Sequence, residues 1–206
     1  SSGGVVIAKD KTPIYQLFEQ GIKLQKLAKL ERYNKNKKLK EEKGKEFFKT
    51  GYTDFQNIGG EGLVDIKKYR EQIGIKEEVD SSERKSRKKE IERIKITRRP
   101  YCVEGENNRK LEKLVEKIRE LKKQNFPKTK LKYIYELKRN DDKTSNEKIM
   151  DAINILSKMS ENEVKVLNEQ WEIIDKLKIS MDENTNQIDK VFDDILDVIE
   201  MYDFVR

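Results

Sequence analysis

The side chains that most often carry out catalysis or hold metals are almost absent from this chain. Its 206 residues include no histidine and one cysteine, Cys102. The lack of histidine excludes histidine zinc sites and both serine–histidine and cysteine–histidine catalysis. A single cysteine forms neither an internal disulfide nor a multi-cysteine metal site. The carboxylates and lysines fall into the salt-bridge spacings of exposed helices. We therefore predict a protein that is not an enzyme and that uses no cofactor or metal.

A glycine-rich segment, Gly59–Gly60–Glu61–Gly62, is the one place where a phosphate-binding loop can be considered. It lacks the GxxxxGK[ST] pattern, and no strand is apparent before it. Clustered glycines are typical of connecting segments. The sequence therefore predicts a connector over residues 51–65.

Basic side chains concentrate in residues 77–99 and suggest contact with a polyanion, since lysine and arginine neutralise phosphates. The candidate contacts are Arg84, Lys85, Arg87, Lys88, Lys89, Arg93, Arg98 and Arg99. Ser86 lies among them, in a context that basophilic kinases favour, and a phosphate there would reduce the local positive charge. A solvated helix face is nevertheless the preferred interpretation of the lysines, and an acidic protein partner is a further alternative. No recognisable nucleic-acid-binding signature accompanies the run.

The charge is divided unevenly along the chain. Residues 1–140 carry a formal net charge of +16 and residues 141–206 one of −9, which together give +7. Charged residues make up 41% of the chain and apolar residues 34%, whereas globular domains have about 25% and about 45–50%. Long helices with narrow apolar stripes account for both values. The separation of charge also indicates binding to other macromolecules.

Helical spacing of apolar residues is the main structural signal. Thr12 and Pro13 predict the start of a helix, and apolar residues recur at helical spacing from there to Leu30. Residues 129–138 fit a strand or a helix, and the helix is preferred because no partner strand is evident. A short heptad seam within residues 106–125 consists of Leu111, Leu114, Ile118 and Leu121.

The longest heptad pattern runs through the acidic region from Val164 to Tyr202, in a predicted helix over residues 160–204. Its apolar positions are Val164, Leu167, Trp171, Ile174, Met181, Ile188, Phe192, Ile195, Ile199 and Tyr202. Lys178 and Thr185 interrupt it, and polar seam positions often set register and partner choice. As one helix this stretch would extend roughly 67 Å, at about 1.5 Å per residue. The stripe must be covered by a different protein, a second copy or this chain, and a different protein is preferred.

Together these patterns predict an all-α, elongated coiled-coil protein with a long C-terminal heptad helix and no substantial β-sheet. We expect a tag-like or extended segment at 1–11, basic helical regions at 12–76 and 77–140, and an acidic coiled-coil region at 141–206. No apolar run approaches the roughly 20 residues that cross a bilayer. The single cysteine suits an intracellular compartment, the cytoplasm or the nucleus.

The predicted function is that of a non-catalytic structural or scaffolding subunit in a multiprotein assembly. The acidic coiled coil would pair with helices of other proteins, a hetero-oligomer being preferred to a homo-oligomer, and the basic N-terminal helices would dock elsewhere in the assembly. The alternative is a nucleic-acid- or chromatin-associated factor that uses the basic residues around 84–99.

Overall fold

The computed structural model describes residues 1–8, 12–43, 50–58, 97–103, 110–139, 144–183 and 191–206. Within them the chain forms a small mixed sheet and several helices. The strands are β1 (Ser2–Ala8), β2 (Tyr52–Ile58) and β3 (Tyr101–Cys102). The helices are α1 (Ile14–Lys43), α2 (Leu111–Lys123), α3 (Lys128–Arg139), α4 (Ser145–Ser157), α5 (Glu161–Trp171), α6 (Ile173–Glu183) and α7 (Ile195–Met201).

The sheet has the order β1-β2-β3. β1 pairs with β2 in parallel, from Ser2 opposite Tyr52 to Ala8 opposite Ile58, and α1 connects the two strands. β3 pairs with β2 antiparallel. The prediction of no substantial β-sheet is therefore wrong, although the chain is mainly helical. Parallel strands are far apart in sequence, so neither the extended segment at 1–11 nor the predicted connector at 51–65 indicated its partner.

The helix α1 packs closely on β1 because glycine occupies the point of contact. A Cβ atom at Gly4 would lie 2.2 Å from the carbonyl oxygen of Gly21 and 2.7 Å from the backbone nitrogen of Gln25. The buried face of α1 includes Leu24 and Ala28. The helix backbone thus rests directly on the strand at Gly4.

We expect Gly4→Ala to lower the free energy of unfolding by about 1–3 kcal/mol, because the added methyl group meets helix backbone and forces α1 off β1. The matched control is Gly3→Ala, whose Cβ would make ordinary contact with the Thr53 side chain, at 3.4 Å from Oγ1. Urea unfolding monitored by circular dichroism measures both variants. Equal stability of the two would contradict the close packing.

The chain divides into two compact units. The first contains residues 1–66, 97–125 and 197–206, and therefore holds the sheet, α1 and α2. In it Tyr52 and Cys102 pack against Ala28 of α1. Lys122 of α2 donates a hydrogen bond of 2.6 Å to the carbonyl of Val205 near the C-terminal end.

The second unit contains residues 67–96 and 126–196, and its described part consists of helices. Residues 128–139, which fitted both a strand and a helix in sequence, form α3, as preferred. Ser160 and Glu163 form the capping box that starts α5. Lys130 of α3 lies 2.5 Å from Glu163, and its hydrogen bond lowers the pKa of that carboxyl group.

The predicted long C-terminal helix is also wrong, because the stretch is divided into separate helices. α5 ends at Trp171, and Glu172 takes a left-handed conformation with φ of 53°. The side chain of Asn168 then accepts a hydrogen bond of 2.9 Å from the backbone nitrogen of Ile174, which replaces a helical bond at the start of α6. A left-handed residue ends a helix locally, and heptad spacing does not reveal it.

Candidate functional site

The helix α1 carries apolar side chains on an exposed face as well as on its buried face. Ile14, Phe18 and Ile22 are spaced four residues apart and form one stripe. Ile14 is 83% exposed and Phe18 is 71% exposed, while Tyr15 beside them is 63% exposed. Solvent-exposed apolar side chains in one contiguous patch mark interaction surfaces more often than single exposed ones do.

An open groove lies between this stripe and β1. It has a volume of about 480 Å³ and is lined by Gly4 and Val6 of β1 and by the α1 side chains Ile14, Leu17, Phe18, Ile22 and Gln25, with Gly21 at its floor. Most of its lining is apolar, and Gln25 is the polar side chain within it. A volume of this size lies in the usual range for binding clefts.

The surface that continues from the groove along α1 is basic. Lys23, Lys26 and Lys29 follow within two turns of the stripe, and all three are exposed. Exposed lysines that follow an apolar groove along the same helix favour a ligand that carries both apolar and anionic groups.

The sequence contained a signal for this surface that the prediction did not use. The apolar residues of this helix extend over more of its circumference than one buried face covers; they are Ile14, Leu17, Phe18, Ile22, Leu24, Leu27 and Leu30. The prediction treated them as a single stripe. The helix has so many apolar residues because they form two faces. One face packs on the sheet and the other is exposed.

The most strongly charged cluster of the first unit lies inside its core, on the other side of the sheet. The guanidinium of Arg99 contacts Asp197 at 2.6 Å and Glu200 at 2.9 Å, with the side chains of Arg99 and Asp197 almost fully buried. It also lies 4.6 Å above the ring of Phe55, which stacks on Tyr101. Burial acts to lower the pKa of Arg99, but the two carboxylates outweigh burial and hold that pKa above its usual value.

Asp197 accepts four hydrogen bonds, two on each oxygen. One oxygen accepts hydrogen bonds from Nε of Arg99 and from the hydroxyl of Thr97, each at 2.6 Å. The other receives the backbone nitrogen of Arg98 at 2.8 Å and the hydroxyl of Tyr101 at 2.6 Å. These partners occupy the carboxylate fully, which makes it a structural group and leaves it unsuited to proton transfer.

The ion pair also completes the hydrogen bonding of β2 beyond the end of the short strand β3. Arg99 donates to the carbonyl of Phe55 at 2.7 Å, and Glu200 accepts from the backbone nitrogen of Asn57 at 3.3 Å. A cation and an anion thus supply the donor and the acceptor that a longer β3 would have supplied. This explains why charged side chains are buried here.

The residues of the predicted partner seam take several different positions. Leu167, Trp171, Phe192 and Ile195 are buried. Val164, Ile174, Ile199 and Tyr202 are half-buried, Met181 is exposed and Ile188 lies outside the described residues. Of the two polar seam residues, Lys178 is exposed and Thr185 is not described.

Trp171 is the largest of the buried seam residues. Its indole nitrogen donates a hydrogen bond of 2.7 Å to Asp194, and its ring packs on Phe192 at 5.2 Å between centroids. These contacts lie within the second unit, so Trp171 already has apolar and polar partners in its own chain. In the shorter seam Leu114, Ile118 and Leu121 are buried and Leu111 is half-buried.

The predicted polyanion contacts lie almost entirely outside the described residues. This applies to the phosphosite Ser86 and to Arg84, Lys85, Arg87, Lys88, Lys89 and Arg93. Arg98 is half-buried, and the guanidinium of Arg99 is enclosed by the carboxylates of Asp197 and Glu200. Arg99 therefore does not contact a polyanion in this arrangement.

In the part of the chain that the structure describes, no three side chains of the histidine, cysteine, aspartate and glutamate types come together in a way that fits a metal ion. The same residues contain no helix that is long and apolar enough to span a membrane. Cys102 is buried. The groove beside α1 is a concave surface of the described residues with a defined chemical character, because its lining is mostly apolar. Comparison with protein families, with curated proteins and with solved structures finds no match to this chain.

Proposed function

We propose that this chain is a non-catalytic binding subunit that takes up an apolar and acidic segment of a partner protein in the groove between β1 and α1. The observation that carries the proposal is the exposed stripe of Ile14, Phe18 and Ile22 on a helix whose other side is already packed. A helix with two apolar faces and one covered face leaves hydrophobic surface for a partner.

The positively charged side chains of α1 indicate which chemical groups a partner segment would carry. The exposed lysines Lys23, Lys26 and Lys29 follow the groove-lining residues along α1, and Glu19 is an exposed carboxylate of the same stretch. Such a surface favours carboxylates at one end of an apolar segment, by complementarity and by steering during encounter. This corresponds to the docking role that the sequence predicts for the basic N-terminal helices.

The other predicted role, pairing through the C-terminal seam, does not enter the proposal. Leu167, Trp171, Phe192 and Ile195 are buried, so a partner helix would have to displace contacts that already exist. The scaffold function therefore rests on α1 and β1.

The test uses a displayed library of random peptides, selected on the intact protein. We expect selected peptides to combine apolar residues with Asp or Glu. The double variant Phe18→Glu with Ile22→Glu should weaken their binding by at least about tenfold, because burial of a phenylalanine side chain alone contributes about 1.5–3 kcal/mol. Fluorescence anisotropy with a labelled selected peptide measures the dissociation constant.

The matched control is Phe204→Glu, which introduces the same charge at a phenylalanine that is 50% exposed and lies outside the groove. It should leave the affinity unchanged. A library that yields no peptide dependent on Phe18 and Ile22 would refute the proposed function. Raised salt should weaken binding of the acidic peptides, since the lysines contribute through screened charge.

A further inference from the structure

The strand β1 directs alternate backbone groups towards β2. The backbone nitrogen of Tyr52 donates to the carbonyl of Ser1 at 3.2 Å. In a parallel ladder the N–H and C=O groups of every second residue point to the same neighbour. Gly3, Val5 and Ile7 therefore share the orientation of Ser1 and pair with β2.

The remaining residues of β1 present their backbone groups on the opposite edge. These are Ser2, Gly4, Val6 and Ala8, and β1 is an outer strand of the sheet that the described residues form. The side chain of Gln25 marks this edge, because its nitrogen lies 3.4 Å from the carbonyl of Ser2. The N–H and C=O groups of Gly4 and Val6 therefore point away from β2, and both residues line the groove.

The strand β1 lacks, within its own sequence and register, the features that normally prevent pairing with another strand. Charged residues, prolines and bulges are the usual protections. β1 has the sequence SGGVVIA, which contains neither charge nor proline, and its pairing with β2 is in register over all seven residues. Seven residues of regular strand are long for an open edge.

The exposed stripe of α1 lies above this edge. Gly4 and Val6 line the same groove as Ile14, Phe18 and Ile22. A segment hydrogen-bonded to β1 would therefore lie below these side chains, with every second side chain of its own directed towards them. The backbone edge of β1 and the exposed apolar stripe of α1 therefore form one site.

From this arrangement we infer that the partner segment binds in extended form, as an added strand on the free edge of β1 and beneath α1. The inference rests on the proposed function and specifies the conformation of the partner. Backbone hydrogen bonds to Gly4 and Val6 supply affinity, and Ile14, Phe18 and Ile22 select apolar side chains at alternate positions, as in other cases of strand addition.

Amide hydrogen exchange measured by NMR, with and without a selected peptide, tests the inference. The amides of Gly4 and Val6 should exchange at least about tenfold more slowly in the complex, because they gain hydrogen bonds. The amides of Gly3 and Val5 already pair with β2 and should change little. Alanine scanning of the peptide should show sensitivity at every second residue.

A pair of variants at one position separates the backbone from the side chain. Val6→Pro removes an N–H that points away from β2, which an edge strand tolerates, and it should abolish peptide binding. Val6→Ala keeps the N–H and should lose less than about tenfold in affinity. Circular dichroism and the exchange of the Ile7 amide confirm that both variants are folded.

The outcomes distinguish the two proposals. Peptides that need Phe18 and Ile22, but leave the amides of Gly4 and Val6 unprotected and show sensitivity at every third or fourth residue, dock as helices. That result would overturn the strand inference and leave the proposed function in place. Absence of any peptide that depends on Phe18 and Ile22 would overturn both.

Discussion

Asp197→Asn is expected to lower the free energy of unfolding of the first unit by about 3–5 kcal/mol, as is usual when a buried charge loses its partner. The substitution preserves shape but removes the negative charge beside Arg99. Asparagine also places an NH₂ group where the carboxylate accepts hydrogen bonds, for example from Tyr101 and from the backbone of Arg98. Whichever oxygen the NH₂ group replaces, the two donors that now bind that oxygen would face a third donor.

Asp203→Asn is the matched control, because it removes the same charge from an exposed aspartate near Asp197. It should change stability by less than about 0.5 kcal/mol. Urea unfolding combined with peptide-resolved hydrogen exchange locates the loss, which should appear in β2, β3 and α7. A variant Asp197→Asn within that same margin of the wild type would show that the buried ion pair contributes nothing to stability.

A double-mutant cycle tests the pairing itself. Arg99→Met removes the cation, and in its presence Asp197→Asn should cost less than it does alone. The coupling free energy between the two sites should fall within the range of about 0.5–3 kcal/mol found for residues in one network. Independent effects would mean that Asp197 acts through Thr97 and Tyr101 and not through Arg99.

Trp171→Ala is expected to cost about 3–5 kcal/mol of stability in the second unit, the usual range for truncation of a buried aromatic side chain. The indole loses its packing on Phe192, and Asp194 loses the donor at 2.7 Å. Trp171→Phe should cost less, because the ring is retained and only the hydrogen bond and part of the volume are lost. Met150→Ala, at a residue that is 66% exposed in α4, is the control.

This prediction also decides between the two interpretations of the heptad seam. If Trp171 served to anchor a partner helix, its replacement by alanine would change the free energy of unfolding of the isolated chain very little. Thermal unfolding of the isolated protein, followed by circular dichroism, measures the difference. A loss of less than about 1 kcal/mol in the free energy of unfolding would instead support the interpretation that Trp171 anchors a partner helix.

The helices were predictable because their signals are local. Apolar spacing over a few turns indicates α1 and α2, and the capping box of Ser160 and Glu163 marks α5 within four residues. The sheet was not predictable in the same way. β2 buries Asp54 and Gln56 next to Phe55, and these polar residues conceal the alternation that identifies a strand.

The roles of charged residues were the hardest to predict. Arg99 ends a basic run and resembles a surface cation in sequence, yet its partner Asp197 is 98 positions away. Burial depends on the fold, and charge counts carry no information about it. The exposed stripe on α1 was accessible in principle, because Ile14, Phe18 and Ile22 exceed what one buried face needs.

The Arg99–Glu200 pair that completes the β2 edge has a consequence for stoichiometry. Charged side chains occupy the backbone groups of Phe55 and Asn57, and the outer strand β3 is two residues long and forms a bridge from Cys102 to Lys110. In the sheet of the described residues, β1 is therefore the one long edge available for an added strand. The described sheet would then accept a single added strand. Two copies that met through β1 would form a closed pair, since the described residues of each copy offer no second long edge from which a filament continues.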